Sequence, residues 1–342
     1  MADDASRIVD DVRATAAQIA EMETRGAVAI ATAAADALAT QAAESDAERP
    51  AAFRDELAAA AQELYDTRPT AVSLANALRY VLRDLDDESV DALERTVLER
   101  AAAFREEVEA AQSRLGEIGA NRLQDGDTVM THCHSTDALA CIEAAVEDGK
   151  SISAIVKETR PRKQGHITAR ELREMGVPVT LIVDGAARRH LPEVDHVIVG
   201  ADSIAADGSV INKIGTSGLA VLAREQGAQI MVAAATIKLH PDTLTGTTVE
   251  IEQRDETEVL PPDERAVIDE RSDERGATED AAPPIEVDNP AFDVTPPRYV
   301  DAIVTERGQF PPESIVSLMR ELFGESVERP WDAPSEIVSG RK

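Results

Sequence analysis

Cysteine is nearly missing from this chain. Its 342 residues hold only Cys133 and Cys141, eight positions apart. That excludes a disulfide framework and offers no zinc-type spacing. Lysine is scarce too, at six residues. No apolar run approaches the length needed to cross a bilayer. The opening Met1-Ala2-Asp3-Asp4 is acidic and has no apolar core, so no signal peptide and a cytoplasmic location are expected. No G-x-G-x-x-G follows the first expected strand, which leaves dinucleotide binding unsupported. With 65 acidic and 35 basic residues the formal net charge is -30. Such a field opposes non-specific nucleic-acid binding and anionic membranes. The acids are spread along the whole chain, which reads as a salt-adapted surface rather than an acidic tail. Against that background, an Arg or Lys at a loop or helix start is easier to explain as a phosphate ligand than as a solubility device.

What is present falls into two textures. Residues 1–122 read as a helical domain. Ile8, Val12, Ala16, Ile19 and Met22 share one helix face, and Phe53, Leu57, Ala60, Leu64 and Tyr65 mark another helix. Two breaks carry an arginine, at Arg25-Gly26-Ala27-Val28 and at Arg68-Pro69-Thr70. Pro69 suits the first position of a helix. From 123 to 342 short apolar runs alternate with helical patterns. Strands are expected at 128–131, 153–157, 177–183, 196–200 and 229–234, with helices between them. That alternation implies a parallel sheet with helices on both faces. With right-handed crossovers it becomes a doubly wound, Rossmann-like α/β domain. An acidic stretch from 255, with its insert near 263–284, reads as a solvated, partly disordered loop. Trp331 lies in a tail expected to pack on its own domain or on a neighbour.

Met130-Thr131-His132-Cys133-His134-Ser135-Thr136-Asp137 is the central stretch. It runs from the end of a strand into the start of a helix, with Ser135 or Thr136 as the cap and Asp137 in the first turn. Ligands of open parallel sheets bind at such ends, and the field of a helix N-terminus lowers a thiol pKa. Cys133 is therefore expected as a thiolate base or nucleophile. The competing reading is a buried, inert cysteine. Cys133, Arg160, Asp184, Asp202 and Lys238 all fall at ends of expected strands, so a parallel sheet would gather them on one rim. Asp202 follows an apolar strand; burial there would raise its pKa and keep a proton on it near neutrality. A helix-capping aspartate is the alternative. Asn212 and Lys213 precede the Gly-rich helix start Ile214-Gly215-Thr216, which suits a phosphate, although a surface lysine would look the same. His132, His134 and His166 have no carboxylate at metal-ligand spacing and are expected in ordinary hydrogen bonds. A thiol base, a carboxylic acid and several cations together suggest proton shuttling on a sugar phosphate.

These stretches resemble archaeal ribose-1,5-bisphosphate isomerases. The resemblance rests on Thr131-His132-Cys133-His134-Ser135, Glu158-Thr159-Arg160-Pro161 with Gln164-Gly165, and Gly200-Ala201-Asp202-Ser203. Val210 to Thr216, Asn289 to Pro297, Arg25-Gly26-Ala27 and Arg68-Pro69-Thr70-Ala71 extend it over nearly the whole chain. The wider family also holds methylthioribose-1-phosphate isomerases and non-enzymatic regulatory subunits of a translation-initiation exchange factor. The resemblance implies Cys133 as base and Asp202 as acid. It implies Arg25, Gly26, Ala27, Val28, Arg68, Ser135, Thr136, Asp137, Asn212, Lys213 and Lys238 as ligands of a sugar bisphosphate. It implies no metal or redox cofactor, a place in AMP breakdown that feeds a carboxylase, AMP as activator, and a homo-hexamer. A methylthio substrate would want an apolar pocket at C5, whereas a bisphosphate wants a second cation there, which Lys238 could supply.

Overall fold

The computed structural model describes residues 8–24, 26–273, 285–323 and 329–331. Five helices come first: α1 (Asp10–Ala20), α2 (Ala27–Ala43), α3 (Pro50–Thr67), α4 (Val72–Leu82) and α5 (Val90–Ala120). The apolar spacing seen in the sequence is what they bury. Val12, Ala16 and Ile19 point inward from α1, and Phe53, Leu57, Ala60 and Leu64 from α3. Ser89 caps α5 by accepting from the Ala92 amide, which answers one of the unpaired N–H groups of the first turn. Helix α4 is buried at every residue from Val72 to Arg79. Pro69 does not begin it, because a tight turn closed by the Ala71 amide on the Arg68 carbonyl comes first.

The second half alternates strands and helices. In order they are β1 (Thr128–His132), α6 (Thr136–Glu147), β2 (Ser153–Lys157), α7 (Gly165–Glu174), β3 (Val179–Ile182), α8 (Ala187–His190) and β4 (His196–Val199). Then come β5 (Ser203–Ala205), β6 (Val210–Lys213), α9 (Thr216–Gln226), β7 (Gln229–Ala233), β8 (Leu239–His240) and α10 (Pro262–Asp273). The last elements are β9 (Phe292–Thr295), β10 (Ala302–Thr305), β11 (Gly308–Phe310) and α11 (Ile315–Phe323). Seven strands form one sheet in the order β11-β10-β7-β4-β1-β2-β3. All neighbours are parallel except β11, which runs antiparallel at an edge.

Both faces of this sheet are dry through its central strands, as a parallel sheet requires, while the edge strand β3 exposes Thr180 and Leu181. Alternate residues of each strand enter two different cores. Val129, Val156, Ile198, Met231 and Val304 join the core that contains Phe53, Leu78 and Leu115 of the helical layer. Met130, Ile155, Val197, Val199 and Val232 join the opposite core with Leu219, Ala223, Ile315 and Leu318. The α/β architecture expected from the alternation is therefore present, with the helical layer packed on one of its faces.

Two features depart from the expectations, and a third decides one that was open. A second sheet, in the order β8-β5-β6-β9, stands beside the first, and its β5–β6 hairpin occupies a stretch where the alternation gives no strand. Its sequence signal was the Asp207-Gly208 turn between short apolar runs. Gly208 has φ +82°, a conformation that glycine adopts without strain. The acidic stretch is also not a bare loop as far as residue 273. Pro262 opens α10, with Asp263 and Glu264 in its first turn. Proline fits that position, and acids there meet the positive end of the helix dipole. The remainder of the insert, 274–284, lies outside the described residues. Trp331 is buried against the chain's own helical layer, its ring 5.6 Å from that of Tyr65.

Candidate active site

Among the parallel strands the order is the doubly wound pattern 3-2-1-4-5-6, counting β7 and β10 as fifth and sixth. The winding direction reverses between β1 and β4, which pair directly, Met130 opposite Val197. Splayed connections at such a switch open a crevice at the strands' C-terminal ends. Cys133 follows β1 and Asp202 lies just beyond β4, one on each side of it. Gly200 allows the two turns to approach: a Cβ there would lie 2.2 Å from Ser135 Oγ. No side chain larger than hydrogen fits without displacing the start of α6.

Cys133 is held in a left-handed conformation, φ +71°, and Thr159 opposite it has φ +65°. Non-glycine residues pay strain for this, and surrounding bonds must enforce it. Those bonds are present. The Cys133 amide donates to Thr159 Oγ1 at 2.8 Å, and Thr168 Oγ1 donates to the Cys133 carbonyl at 2.8 Å. The Thr159 and Arg160 amides donate to the two carboxylate oxygens of Asp184, at 3.0 and 2.7 Å. The Cys133 thiol points toward Gln164 Oε1 at 3.5 Å.

The thiolate expected for the free protein is not what this environment favours. Burial pushes the Cys133 thiol up to about 11, against the opposing pull of the His134 amide and the Lys213 ammonium. The helix field alone does not prevail, because the thiol is buried and Ser135 Oγ already answers the Ala138 amide of α6.

Asp202 shifts in the expected direction but is not buried as expected. Its carboxyl is pushed up by the protein enclosing it, opposed by Lys238, Lys213, Arg68 and Arg254 in that order. The residue is nevertheless open to solvent, so water and a ligand can reach it among these cations. Exclusion of water is therefore partial in the open cleft, and the upward push grows when a ligand displaces it. Lys213 closes the arrangement. Burial lowers its pKa, while Cys133 and Asp202 are the two groups that most oppose this. Thiol, carboxyl and ammonium thus lie within one another's electrostatic reach. The Lys213 ammonium also stands 4.7 Å from the centroid of the Phe292 ring.

The remaining expected residues fall as follows. Lys238 Nζ donates to Asp137 Oδ2 at 2.8 Å, and the same oxygen accepts from the Ala235 amide at 3.2 Å. Asp137 thus serves as counter-ion to the lysine. Asn212 Nδ2 donates to Thr216 Oγ1 at 3.0 Å. The Gly215 and Ser217 amides at the start of α9, expected to be free for a phosphate, donate to Asp293 instead, at 2.7 and 3.0 Å. Arg68 reaches the cleft through its charge on Asp202. Gly26, Ala27 and Val28 form the start of α2. Gly26 has φ +90° with open space where a Cβ would be. Arg25 lies outside the described residues. His132 Nε2 bonds the Ile214 carbonyl at 2.8 Å, its Nδ1 faces Thr159 Oγ1 at 3.2 Å, and burial lowers its pKa to about 4. It is a neutral structural ring. His134 Nδ1 bonds Thr168 Oγ1 at 3.2 Å.

Three neighbours escaped the sequence reading as site residues. Gln164 faces the thiol. Arg254 adds charge beside Asp202 and Lys213, and together with Arg160, Arg162 and Asn289 it lines an adjoining cleft. Lys157 is buried, and its ammonium donates to the Gly215 carbonyl at 3.3 Å. As one of six lysines, at the end of an apolar strand, Lys157 carried the same signal as Lys238.

Known proteins resemble the chain over most of its length. Residues 23–312 match the model of the initiation factor 2 subunit family. A ribose 1,5-bisphosphate isomerase of Haloterrigena turkmenica is 68% identical over 318 residues, covering 93% of this chain and 95% of that protein. One from Pyrococcus furiosus is 46% identical over 332 residues, 95% and 98% of the two chains. Among solved structures, a 5-methylthioribose 1-phosphate isomerase from Pyrococcus horikoshii superposes with a TM-score of 0.70 at 33% identity, covering 92% of this chain and 88% of that one.

Proposed function

The chain belongs to the initiation factor 2 subunit family, and within it we propose that this protein is a ribose 1,5-bisphosphate isomerase. It converts α-D-ribose 1,5-bisphosphate to D-ribulose 1,5-bisphosphate. The observation that carries this is the placing of Cys133 and Asp202 on the two sides of the switch-point crevice, with the Lys213 ammonium acting on both. Isomerases of that name at 68% and 46% identity over nearly the full chain support the substrate.

The reaction moves a proton from C2 to C1 and needs one base and one acid. Its electrons balance within the sugar, so no redox partner is consumed. Asp202, whose carboxyl is pushed up by the protein around it, protonates the ring oxygen as the furanose opens. Cys133, once deprotonated, removes the C2 proton and leaves a cis-phosphoenolate. Asp202 carries the proton between the two oxygens, and Cys133 returns one to C1. The thiol must first lose its own proton, which Lys213 favours and burial opposes. Lys213, Asn212, Arg68, Arg25, Gly26, Ala27 and Val28 are the ligands of phosphate and hydroxyls that the likeness to the family implies. Ser135, Thr136 and Asp137 join them at the start of α6, with Lys238 for phosphate or ribose. Closing the site over the sugar excludes water and slows loss of phosphate from the enolate.

The finer parts of the reading rest on likeness to the family and on composition. They are a cytoplasmic homo-hexamer, activation by AMP, a role in nucleotide breakdown that feeds a carboxylase, and a salt-adapted surface consistent with a net charge of -30. Gel filtration and an AMP titration in high KCl test the first two.

The experiment for the reaction uses purified protein in high KCl with ribose 1,5-bisphosphate, following ribulose 1,5-bisphosphate. Cys133→Ser is the blank and methylthioribose 1-phosphate the parallel substrate. Turnover of the bisphosphate that disappears in the variant is expected. Turnover of the methylthio sugar alone would move the protein to that neighbouring reaction. A folded protein that turns over neither would be a regulatory subunit instead.

A further inference from the structure

Lys238 is the cation available for a second phosphate, and its position is not set by its own strand. It lies in a short turn, Thr236–Lys238, that leads into β8. The carbonyls on either side of it, those of Ile237 and Leu239, both accept from one side-chain amide. Asn76 Nδ2 donates to each at 2.8 Å, from α4 in the helical layer. Two carbonyl acceptors fix which end of that amide is nitrogen. Both amide protons are therefore used, one on each side of Lys238. The Asn76 oxygen accepts from Arg79 Nη1 at 3.2 Å, one helical turn along, and Arg79 Nη2 donates to Asp242 at 2.5 Å, just past β8. Helix α4 thus grips the segment at Ile237, Leu239 and Asp242.

Asn76 is 3% exposed, in a helix otherwise lined with Leu74, Ala75, Ala77 and Leu78. A buried amide in that setting costs stability unless its bonds are made. Its bonds here go almost entirely to the backbone around one lysine. The lysine ammonium uses one donor on Asp137 and keeps two for a ligand. It is the foremost charge acting on Asp202, so it shares the cleft with that carboxyl.

We propose that Asn76 is a positioning residue that aims Lys238 at the second phosphate and so makes the site selective for a sugar bisphosphate over a sugar monophosphate. This rests on the isomerase reading above. Asn76 touches no substrate atom; it acts through the backbone that carries the lysine.

The test separates alignment from stability. Asn76→Leu keeps the volume and removes both donors, and Lys238→Met removes the cation. Each is assayed for kcat and KM with ribose 1,5-bisphosphate. The inhibition constant of 5-deoxyribose 1-phosphate, which lacks the second phosphate, is measured alongside. For Asn76→Leu the KM of the bisphosphate is expected to rise about 30-fold, as when a charged hydrogen bond is lost. The inhibition constant of the monophosphate should change by less than about threefold. In the Lys238→Met background, Asn76→Leu should add less than about threefold, because one alignment cannot be lost twice. Equal weakening of both sugars, or full additivity of the two substitutions, overturns the proposal and leaves Asn76 a structural residue. If Asn76→Leu does not fold, Asn76→Ala, which leaves room for water, carries the same comparison. Wild-type protein that does not turn over the bisphosphate defeats the isomerase reading itself, a different result from either.

Discussion

The rim around Cys133 and the buried helix α4 treat polar groups in opposite ways. On the rim, Cys133, Thr159 and Lys163 all hold positive φ without being glycine. A thiol is pushed up to about 11, and a carboxyl and two lysines are shifted by burial or enclosure. Around α4 the polar groups are few, and Asn76 meets a donor or acceptor at each end of its amide. The rim stores unfavourable protonation and backbone states, which chemistry can use. The helix has ordinary backbone states and supplies rigidity, its exceptions being Arg79 Nε and the Asp242 Oδ1 of the paired carboxylate, which are buried without a partner among the described residues. A strained site needs an over-determined support, and the two regions divide these tasks between them.

The largest expected effect breaks the rim and spares the helix. Cys133→Ser and Asp202→Asn should each lower kcat by about a thousandfold or more, the range for losing a general base or acid, with thermal unfolding nearly unchanged. Near-normal turnover in either would remove that residue from its assigned role.

The reverse experiment attacks the support. Phe53 and Leu78 are fully buried in the core shared by the helical layer and the sheet. Phe53→Ala or Leu78→Ala should destabilise by about 3–4 kcal/mol in denaturant unfolding, while the folded fraction keeps its turnover. A stability loss below about 1 kcal/mol would mean that this core is looser than its burial implies.

A third prediction concerns protons. The base must be deprotonated, and burial holds the free thiol near 11. The deprotonated fraction therefore grows with pH across the neutral and alkaline range, and the rate at which iodoacetamide alkylates Cys133 in the free enzyme, followed by mass spectrometry, should rise with it, because the thiolate is the nucleophile. A plateau reached below pH 8 would show a thiol far more acidic than its surroundings dictate. The smallest effect is expected outside both regions. Arg170 and Glu174 form an exposed pair 3.9 Å apart, one helical turn from each other. Arg170→Ala should shift stability by less than about 0.5 kcal/mol and leave turnover unchanged.

Much of the rim could be read from the chain. Cys133, Asp202 and Lys238 each follow an apolar run, and strand ends in a parallel sheet share one edge. Scarcity helped as well. Four of the six lysines, Lys157, Lys163, Lys213 and Lys238, fall in the rim segments or beside them. What stayed hidden is long-range. Asn76 meets carbonyls 161 and 163 positions away, and Asp293 caps a helix that begins at Thr216. An asparagine in an apolar helix signals a buried bond but not its partner. The thiol was misjudged for a related reason: a helix terminus can be read from sequence, whereas the depth of burial that outweighs it cannot.

The sequence by itself determined the alternation of strands and helices, the faces they bury, and the residues that stand at strand ends, because periodicity and strand termini are local properties of the chain. The tertiary structure alone decided which strands became neighbours at the switch point, which amides were already occupied by Ser135 and Asp293, how deeply Cys133 was buried, and which helix held Lys238. Those outcomes depend on desolvation and on contacts between segments far apart in the chain, and these arise only when the whole core closes.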